Sequence, residues 1–365
     1  MKFKSWIYNL PEYIPGKTLE EIKEKYNLDV VYKLASNENL FGTSPEVIDS
    51  ICRNACRINY YPDSDCREIK QKLGSKYNVP ADNIIIGNGT DQIIELVCSG
   101  FVGSGENVVI SDPTFLIYEK AALKCGGEVI KVPLEKFRQD VKSMVDSADG
   151  KTRIIFLTNP HNPTGTRITK NEFEYVIRNM PKDVLIVTDE AYYEYLPEEE
   201  KIDTVSYLNE CSNLIILRTF SKIYGLAGLR IGYGISSAEI ISGLNKIRLP
   251  FNVNFIAQKA AVAALENELF ACEVRDKIQV EKEKFYSAFK KNGIDFIKSY
   301  SNFILVKTGS KNRDVITRLL ESGFIVRPGE NLGIPGYIRV TVSKPEVNDK
   351  FLSEFIKIYK SEYNQ

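Results

Sequence analysis

Lys222 is the residue of this chain whose surroundings carry the most chemistry. It stands in Leu217-Arg218-Thr219-Phe220-Ser221-Lys222-Ile223-Tyr224-Gly225-Leu226-Ala227-Gly228-Leu229-Arg230-Ile231-Gly232, where an apolar, strand-like run gives way to hydroxyls, an amine, glycines and an arginine. A lysine just past a strand end can form a Schiff base with an aldehyde, and hydroxyls, backbone N–H groups and a nearby arginine can hold a phosphate. A Ser-Lys pair alone is no signal, because most lysines are solvated surface charges. Its context gives it weight.

Four other apolar runs end in useful residues. Ile84-Ile85-Ile86 leads into Gly87-Asn88-Gly89-Thr90-Asp91-Gln92, ahead of a helical pattern starting near Ile93. Glycines at a turn into a helix expose N–H groups that suit a phosphate; the same stretch also reads as a plain turn with Asp91 capping the helix. Val108-Val109-Ile110 is followed by Ser111-Asp112-Pro113-Thr114-Phe115, which sets an aromatic ring at the same edge. Phe115 is placed either to stack on a flat heterocycle or to fill core. The run at Ile154-Ile155-Phe156-Leu157 opens into Thr158-Asn159-Pro160-His161-Asn162-Pro163-Thr164-Gly165-Thr166, where Asn162 can donate to a phenolic oxygen. His161 reads as a solvated loop histidine, since no step of the chemistry needs it. Val184-Leu185-Ile186-Val187 ends in Thr188-Asp189-Glu190-Ala191-Tyr192. A carboxylate such as Asp189, aimed at a pyridine nitrogen, keeps that nitrogen protonated and the ring electron-withdrawing. Tyr192, three residues on, reaches toward a phenolic oxygen. A magnesium-binding role for Asp189 lacks the glycine-rich loop ending in Gly-Lys-Ser/Thr that phosphoryl transfer uses. Together these groups describe a site for pyridoxal phosphate.

Continuous apolar runs rich in β-branched residues suit strands buried on both faces. Five of them alternate with helical stretches between about residues 84 and 235, so the spacing predicts an α/β domain with a mostly parallel sheet between helices, and ligands beyond the carboxyl ends of its strands. After Pro250 the pattern becomes helix (257–269 and 273–291), strand (302–306), helix (313–321), strand (338–342) and helix, a smaller α+β domain. The expected division is residues 1–35 as an arm, with a short helix over 19–26, and part of the small domain; 36–252 as the large cofactor-binding domain; and 253–365 as the small C-terminal domain.

The 365 residues, 43% hydrophobic and 26% charged, are enough for two cores. Forty-eight basic residues balance 48 acidic ones, which disfavours nucleic acid or an anionic membrane as partner. Seven cysteines without a Cys-x-x-Cys pair, and a single histidine, predict reduced thiols in a cytoplasmic protein and no metal site. No stretch approaches the roughly 18 apolar residues of a membrane span, and the N-terminus has no apolar core long enough for export.

The chain resembles the fold-type I pyridoxal-phosphate aminotransferases, and within them the histidinol-phosphate aminotransferases. The resemblance runs from about Tyr13 to Val342 and is carried by Tyr13-Ile14-Pro15-Gly16-Lys17, Leu34-Ala35-Ser36-Asn37-Glu38-Asn39, Tyr61-Pro62-Asp63, the Asn159 to Gly165 loop, Asp189-Glu190-Ala191-Tyr192, Ser221-Lys222 through Arg230, Val326-Arg327-Pro328-Gly329 and Ile338-Arg339-Val340-Thr341. It implies that Lys222 is the Schiff-base lysine and proton carrier, that Asp189 pairs with the pyridinium, and that Asn162 and Tyr192 hold the ring oxygen while Phe115 stacks on the ring. The phosphate would meet N–H groups of Thr90 and Asp91, the Ser221 hydroxyl and Arg230. Tyr61 would reach it from a partner subunit, which implies a homodimer with shared sites. Tyr13, Asn37, Arg327 and Arg339 would line the substrate end, taking first an amino-alcohol phosphate and then glutamate or 2-oxoglutarate. Guanidinium groups suit carboxylate and phosphate alike, so an aromatic or specialised aminotransferase and a phosphothreonine decarboxylase stay open beside transamination of histidinol phosphate. Leu40, Gln92 and Ser343-Lys344 depart from the usual pattern.

Overall fold

The structure, a computed structural model, describes residues 2, 4–10 and 18–363. A short strand, β1 (Tyr32–Lys33), precedes the seven strands of the main sheet: β2 (Ile84–Gly87), β3 (Asn107–Asp112), β4 (Glu128–Pro133), β5 (Thr152–Thr158), β6 (Leu185–Asp189), β7 (Leu214–Thr219) and β8 (Gly232–Ser236). They lie in the order β2-β8-β7-β6-β5-β3-β4. Only β8 runs against its neighbours. The ends of β3, β5, β6 and β7 therefore open on one edge, and Gly232, where β8 begins, meets it beside Thr219.

Successive residues of a strand point to opposite faces, and here both faces are dry. Val109, Ile155, Leu157 and Ile186 feed one core, while Val108, Ile110, Ile154, Phe156, Leu185 and Val187 feed the other. Each such side chain fully removed from water contributes about 1.5–3 kcal/mol, which makes this sheet the rigid platform of the molecule. All five apolar runs read from the sequence are strands. Two further strands escape such a reading. The edge strand β4 is half exposed and mixes Glu128 and Lys131 with valines, and β8 is diluted by Gly232, which leaves room for Thr90, and Gly234, which leaves room for Ile85, Ile215 and Leu217.

The rest of the chain builds a second, antiparallel sheet from β9 (Phe296–Ile297), β10 (Phe303–Lys307), β12 (Arg327–Pro328) and β13 (Tyr337–Thr341), while β11 (Phe324–Ile325) pairs with β1. The helix expected at residues 19–26 is present as Leu19–Tyr26, closed at its start by a capping box of Thr18 and Glu21. The helix expected at 273–291 starts earlier, at Glu268, because the chain breaks at Asn267 and resumes at once. Among the described residues no helix is long and apolar enough to cross a membrane, and no cluster of His, Cys, Asp and Glu is set to hold a metal ion.

Candidate active site

The strand ends converge as their order requires. Thr90, Asp91, Phe115, Asn162, Asp189, Tyr192, Ser221, Lys222 and Arg230 line one cavity. A contiguous cleft shares Phe115, Asn162, Tyr192 and Lys222 with it and adds Asn37, Arg327 and Arg339. Two expected residues are not among these lining groups. Tyr13 is outside the described residues. Tyr61 is 82% exposed, its ring stacked on Phe251 at 4.6 Å, and it does not enter the cavity of its own chain.

Lys222 lies three residues past the end of β7. Its Nζ donates to the Ser36 carbonyl at 3.3 Å and sits 5.5 Å from the centre of the Tyr192 ring. Asp189, the last residue of β6, is 4% exposed. Burial pushes its carboxyl up to about 6, against the opposing pull of hydrogen bonds from the Tyr118 hydroxyl and the Ala191 N–H. These bonds measure 2.7 and 3.1 Å. The Tyr192 hydroxyl accepts from the Asn37 amide at 2.9 Å and from Asn162 at 3.5 Å, so its own proton is directed into the cavity. Asn37 is further tied by its backbone N–H to the Thr341 hydroxyl at 3.0 Å, and its amide is thus engaged within the protein.

At the opposite end of the cavity, the helix Gly89–Phe101 begins four residues earlier than its apolar pattern suggests. Its first-turn N–H groups, at Gly89, Thr90 and Asp91, have no partner within the helix and face the cavity with the positive end of the dipole. Asp91 does not cap this helix. Its carboxylate pairs instead with Arg230 Nη2 at 3.3 Å, while Arg230 Nη1 donates to the Ser221 hydroxyl at 3.4 Å. Gly89 must be glycine: its φ is +74°, and a Cβ there would lie 2.6 Å from Arg230 Nη2. Arg230 itself holds φ +55°, an unfavourable backbone for a side-chain-bearing residue, of the kind retained where the surroundings fix it for use. Gln92, a departure from the usual acid, accepts from the Asn88 N–H at 2.8 Å and the Asn252 amide at 2.6 Å, and so ties the helix start to the distant segment around Asn252.

At the substrate end Arg339 is buried, with Nη1 on Asn162 Oδ1 at 2.5 Å and Nη2 on the Ala35 carbonyl at 3.0 Å. Its Nε is buried without a partner among the described residues. Burial, with Arg327 adding like charge, pulls its pKa down to about 10.

Several residues at this site escape a reading of the sequence. Tyr118 stacks on Phe156 at 4.6 Å and meets Phe115 edge-on at 5.6 Å, which lets it orient both Asp189 and the aromatic wall. Its only signal is its place three residues after Phe115. Arg218 and Glu190, both buried, form a two-point ion pair at 2.9 and 2.8 Å that clamps the ends of β6 and β7, and with them Asp189 and Lys222. His161 corrects the expectation of a solvated histidine: its ring is wholly buried, and burial lowers its pKa to about 3. The loop folds inward because Thr164 and Ser111 hydroxyls give both ring nitrogens a partner.

These groups fit pyridoxal phosphate. A buried carboxyl group at one end, the N-terminus of a helix with an arginine at the other, and an amine between them match its ring nitrogen, phosphate and aldehyde.

Comparison with known proteins agrees. The model of the family described as aminotransferase class I and II matches residues 29–355. The histidinol-phosphate aminotransferase of Moorella thermoacetica is 41% identical over 352 residues, covering 96% of this chain and 91% of that protein. The one from Caldicellulosiruptor saccharolyticus is 41% identical over 358 residues, 98% and 99% of the two chains. The crystal structure of the histidinol-phosphate aminotransferase from Sinorhizobium meliloti in complex with pyridoxal-5'-phosphate superposes with a TM-score of 0.90 at 27% identity, over 99% of this chain and 98% of that one. The chain belongs to the aminotransferase class I and II family.

Proposed function

We propose that this protein transfers the amino group of L-histidinol phosphate to 2-oxoglutarate, giving imidazole-acetol phosphate and glutamate, with pyridoxal phosphate as cofactor. The observation that carries the substrate reading is the pair Arg327 and Arg339 lining the same cleft as Lys222. Two guanidinium groups suit a phosphate in one half of the cycle and a carboxylate in the other. The curated relatives at about 40% identity bear the corresponding name.

When bound, the cofactor supplies an electron-withdrawing ring that makes the carbon bearing the amino group acidic. The chain does the rest. First-turn N–H groups at Thr90 and Asp91, the Ser221 hydroxyl and Arg230 hold the phosphate, and Phe115 covers one ring face. Asp189 keeps the ring nitrogen protonated: its carboxylate is costly to bury alone, and a neighbouring cation recovers that cost. Tyr118 holds the carboxylate in place. Asn162 and Tyr192 donate to the ring oxygen. Lys222 would hold the cofactor's aldehyde through its Nζ, and the same amine would take and return the proton at the substrate carbon. Arg327 and Arg339 anchor the substrate anion so that this proton lies within reach of Nζ.

A homodimer belongs to the same reading. Ile58, Tyr60, Tyr61, Leu249 and Phe251 are exposed apolar side chains. Tyr61 and Phe251 line a surface hollow with Asn88, next to the phosphate cup, so a second copy seated there would bring its Tyr61 toward this site. A cytoplasmic setting is supported by free thiols, three of them exposed. The proposed division at residues 35 and 252 is supported by the two sheets, which draw on separate stretches of chain, and by β1, which pairs with β11 near the C-terminal sheet.

The test is a half-reaction. Holoenzyme is mixed with L-histidinol phosphate without keto acid, and the visible absorbance of the bound cofactor is followed. Rapid loss at low substrate, with phenylalanine and phosphothreonine far poorer, is the expected result. Loss with another amine but none with histidinol phosphate would overturn the substrate assignment.

A further inference from the structure

His161 has two ring nitrogens, both bonded and neither at the cleft. Nδ1 lies 2.8 Å from the Thr164 hydroxyl and Nε2 lies 3.3 Å from the Ser111 hydroxyl. The first partner is two residues beyond Asn162 in the loop after β5. The second is the penultimate residue of β3, four before Phe115. One ring thus ties the loop bearing Asn162 to the strand leading to the aromatic wall. Hydroxyls can give or take a proton, so a neutral imidazole is satisfied in either tautomer. Its low pKa keeps it neutral in any working range.

The loop depends on this tie because Asn162 has no hold of its own. Both ends of its amide are spent on functional groups, Nδ2 on the Tyr192 hydroxyl at 3.5 Å and Oδ1 on Arg339 Nη1 at 2.5 Å. The start of the loop is pinned by Asn159, whose N–H donates to the Asp189 carbonyl at 2.8 Å. Its far side closes through Gly165 N–H to the His161 carbonyl and His161 N–H to the Thr166 carbonyl, each 2.7 Å. Gly165 is held close against the C-terminal part of the chain: Tyr300 N–H donates to its carbonyl at 2.7 Å, and a Cβ on Gly165, with φ +77°, would strike the Ser299 hydroxyl. Between these anchors, among the described residues, the only side-chain bond from the loop to β3 runs through His161.

We propose that His161 is a positioning residue for the reaction, one that fixes Asn162 between the ring oxygen of the cofactor and Arg339 by fastening its loop to the end of β3. The inference rests on the proposed transamination for its substrate, and on the fit of the site to pyridoxal phosphate for its spectroscopic readout.

The test compares His161→Ala, His161→Asn and Ser111→Ala as holoenzymes. Four quantities are read: the pH at which the visible band of the bound cofactor titrates, kcat and KM for turnover of histidinol phosphate with 2-oxoglutarate, and Tm of the cofactor-free protein. Misplacement of a donor by a fraction of an ångström to an ångström costs up to about 100-fold, so His161→Ala is expected to lose about 10- to 100-fold in kcat and to shift the titration of the band. His161→Asn, whose amide overlays Nδ1 and can keep the Thr164 bond but not the Ser111 bond, should recover part of both. Ser111→Ala, which removes one bond without opening a large cavity, should shift both in the same direction by less, and it carries the test if His161→Ala does not fold. An unshifted band and wild-type kcat in His161→Ala, or in Ser111→Ala where that variant stands in, would overturn the proposal. So would a loss of Tm with band and kcat unchanged, which would leave the ring a purely structural role. Failure of the substrate reading is distinct, since the wild-type enzyme itself would then not react with histidinol phosphate.

Discussion

Arg327 and Arg339 stand directly opposite each other on the antiparallel strands β12 and β13. Like charges at such a position destabilise a sheet, and Arg339 is also buried with one donor unpaired among the described residues. A folded chain keeps such a pair only if something else gains from it, and an anion bound between them is the natural gain. Without ligand, Arg327→Ala should therefore leave the protein as stable as wild type or more so. Inorganic phosphate should raise the Tm of wild type but not of the variant. A charge-assisted bond is worth about 1.5–3 kcal/mol, so kcat/KM for histidinol phosphate should fall roughly 10- to 100-fold, and that for phenylalanine much less. Equal losses for both substrates would show that Arg327 does not read the phosphate.

Asp189 links stability to pH in the cofactor-free protein. Its folded pKa of about 6 lies above the ordinary value of 3.8, so the folded chain holds this proton more tightly than the unfolded one. The contribution is fully present below about pH 4 and is lost as pH rises through 6, a swing on the order of 2–3 kcal/mol. Denaturant melts of apo Asp189→Asn should lack that fall, gaining on wild type between pH 4 and 7. With cofactor, the variant should lose about 10²–10⁴-fold in activity, the range of a lost proton-managing group. Parallel pH curves for the two apo proteins would remove Asp189 as the source.

Lys282 gives a slope of opposite sign. It is 1% exposed, its ammonium donates to the Ser299 carbonyl at 2.9 Å, and burial pulls its pKa down to about 7. With the unfolded value near 10.5, the cost of burying this charge is carried in full below pH 7 and relieved as pH rises from there toward 10.5. Lys282→Met should therefore stabilise the protein at pH 7 by about 1–3 kcal/mol, and its advantage over wild type should shrink toward pH 10. A variant less stable than wild type at pH 7 would mean that the Ser299 bond outweighs the cost of burial.

The site is legible in sequence where chemistry sits at the ends of continuous apolar runs. Such runs announce strands buried on both faces, and the residue after each run is placed by the strand itself, as with Asp189, Lys222 and the Gly87 to Asp91 turn. Tyr118 was not legible because a tyrosine in the first turn of a helix looks like any core aromatic; only the sheet brings its hydroxyl within 2.7 Å of Asp189. The clamp of Arg218 on Glu190 was hidden for a related reason, since it joins residues 28 apart that become neighbours through parallel pairing of β6 and β7. His161 departs from the sequence expectation because a polar loop is normally solvated, whereas this one has hydroxyls on two sides to replace water. β8 was missed because its glycines, which make room for neighbouring side chains, erase its apolar signature.

The central claim is that Lys222 bonds the cofactor. Holoenzyme reduced with borohydride, digested and mapped by mass spectrometry tests it most directly. The account predicts a single peptide carrying the added cofactor mass, with the modification on Lys222. A label on any other lysine, or a reduced protein with no labelled peptide, would contradict it.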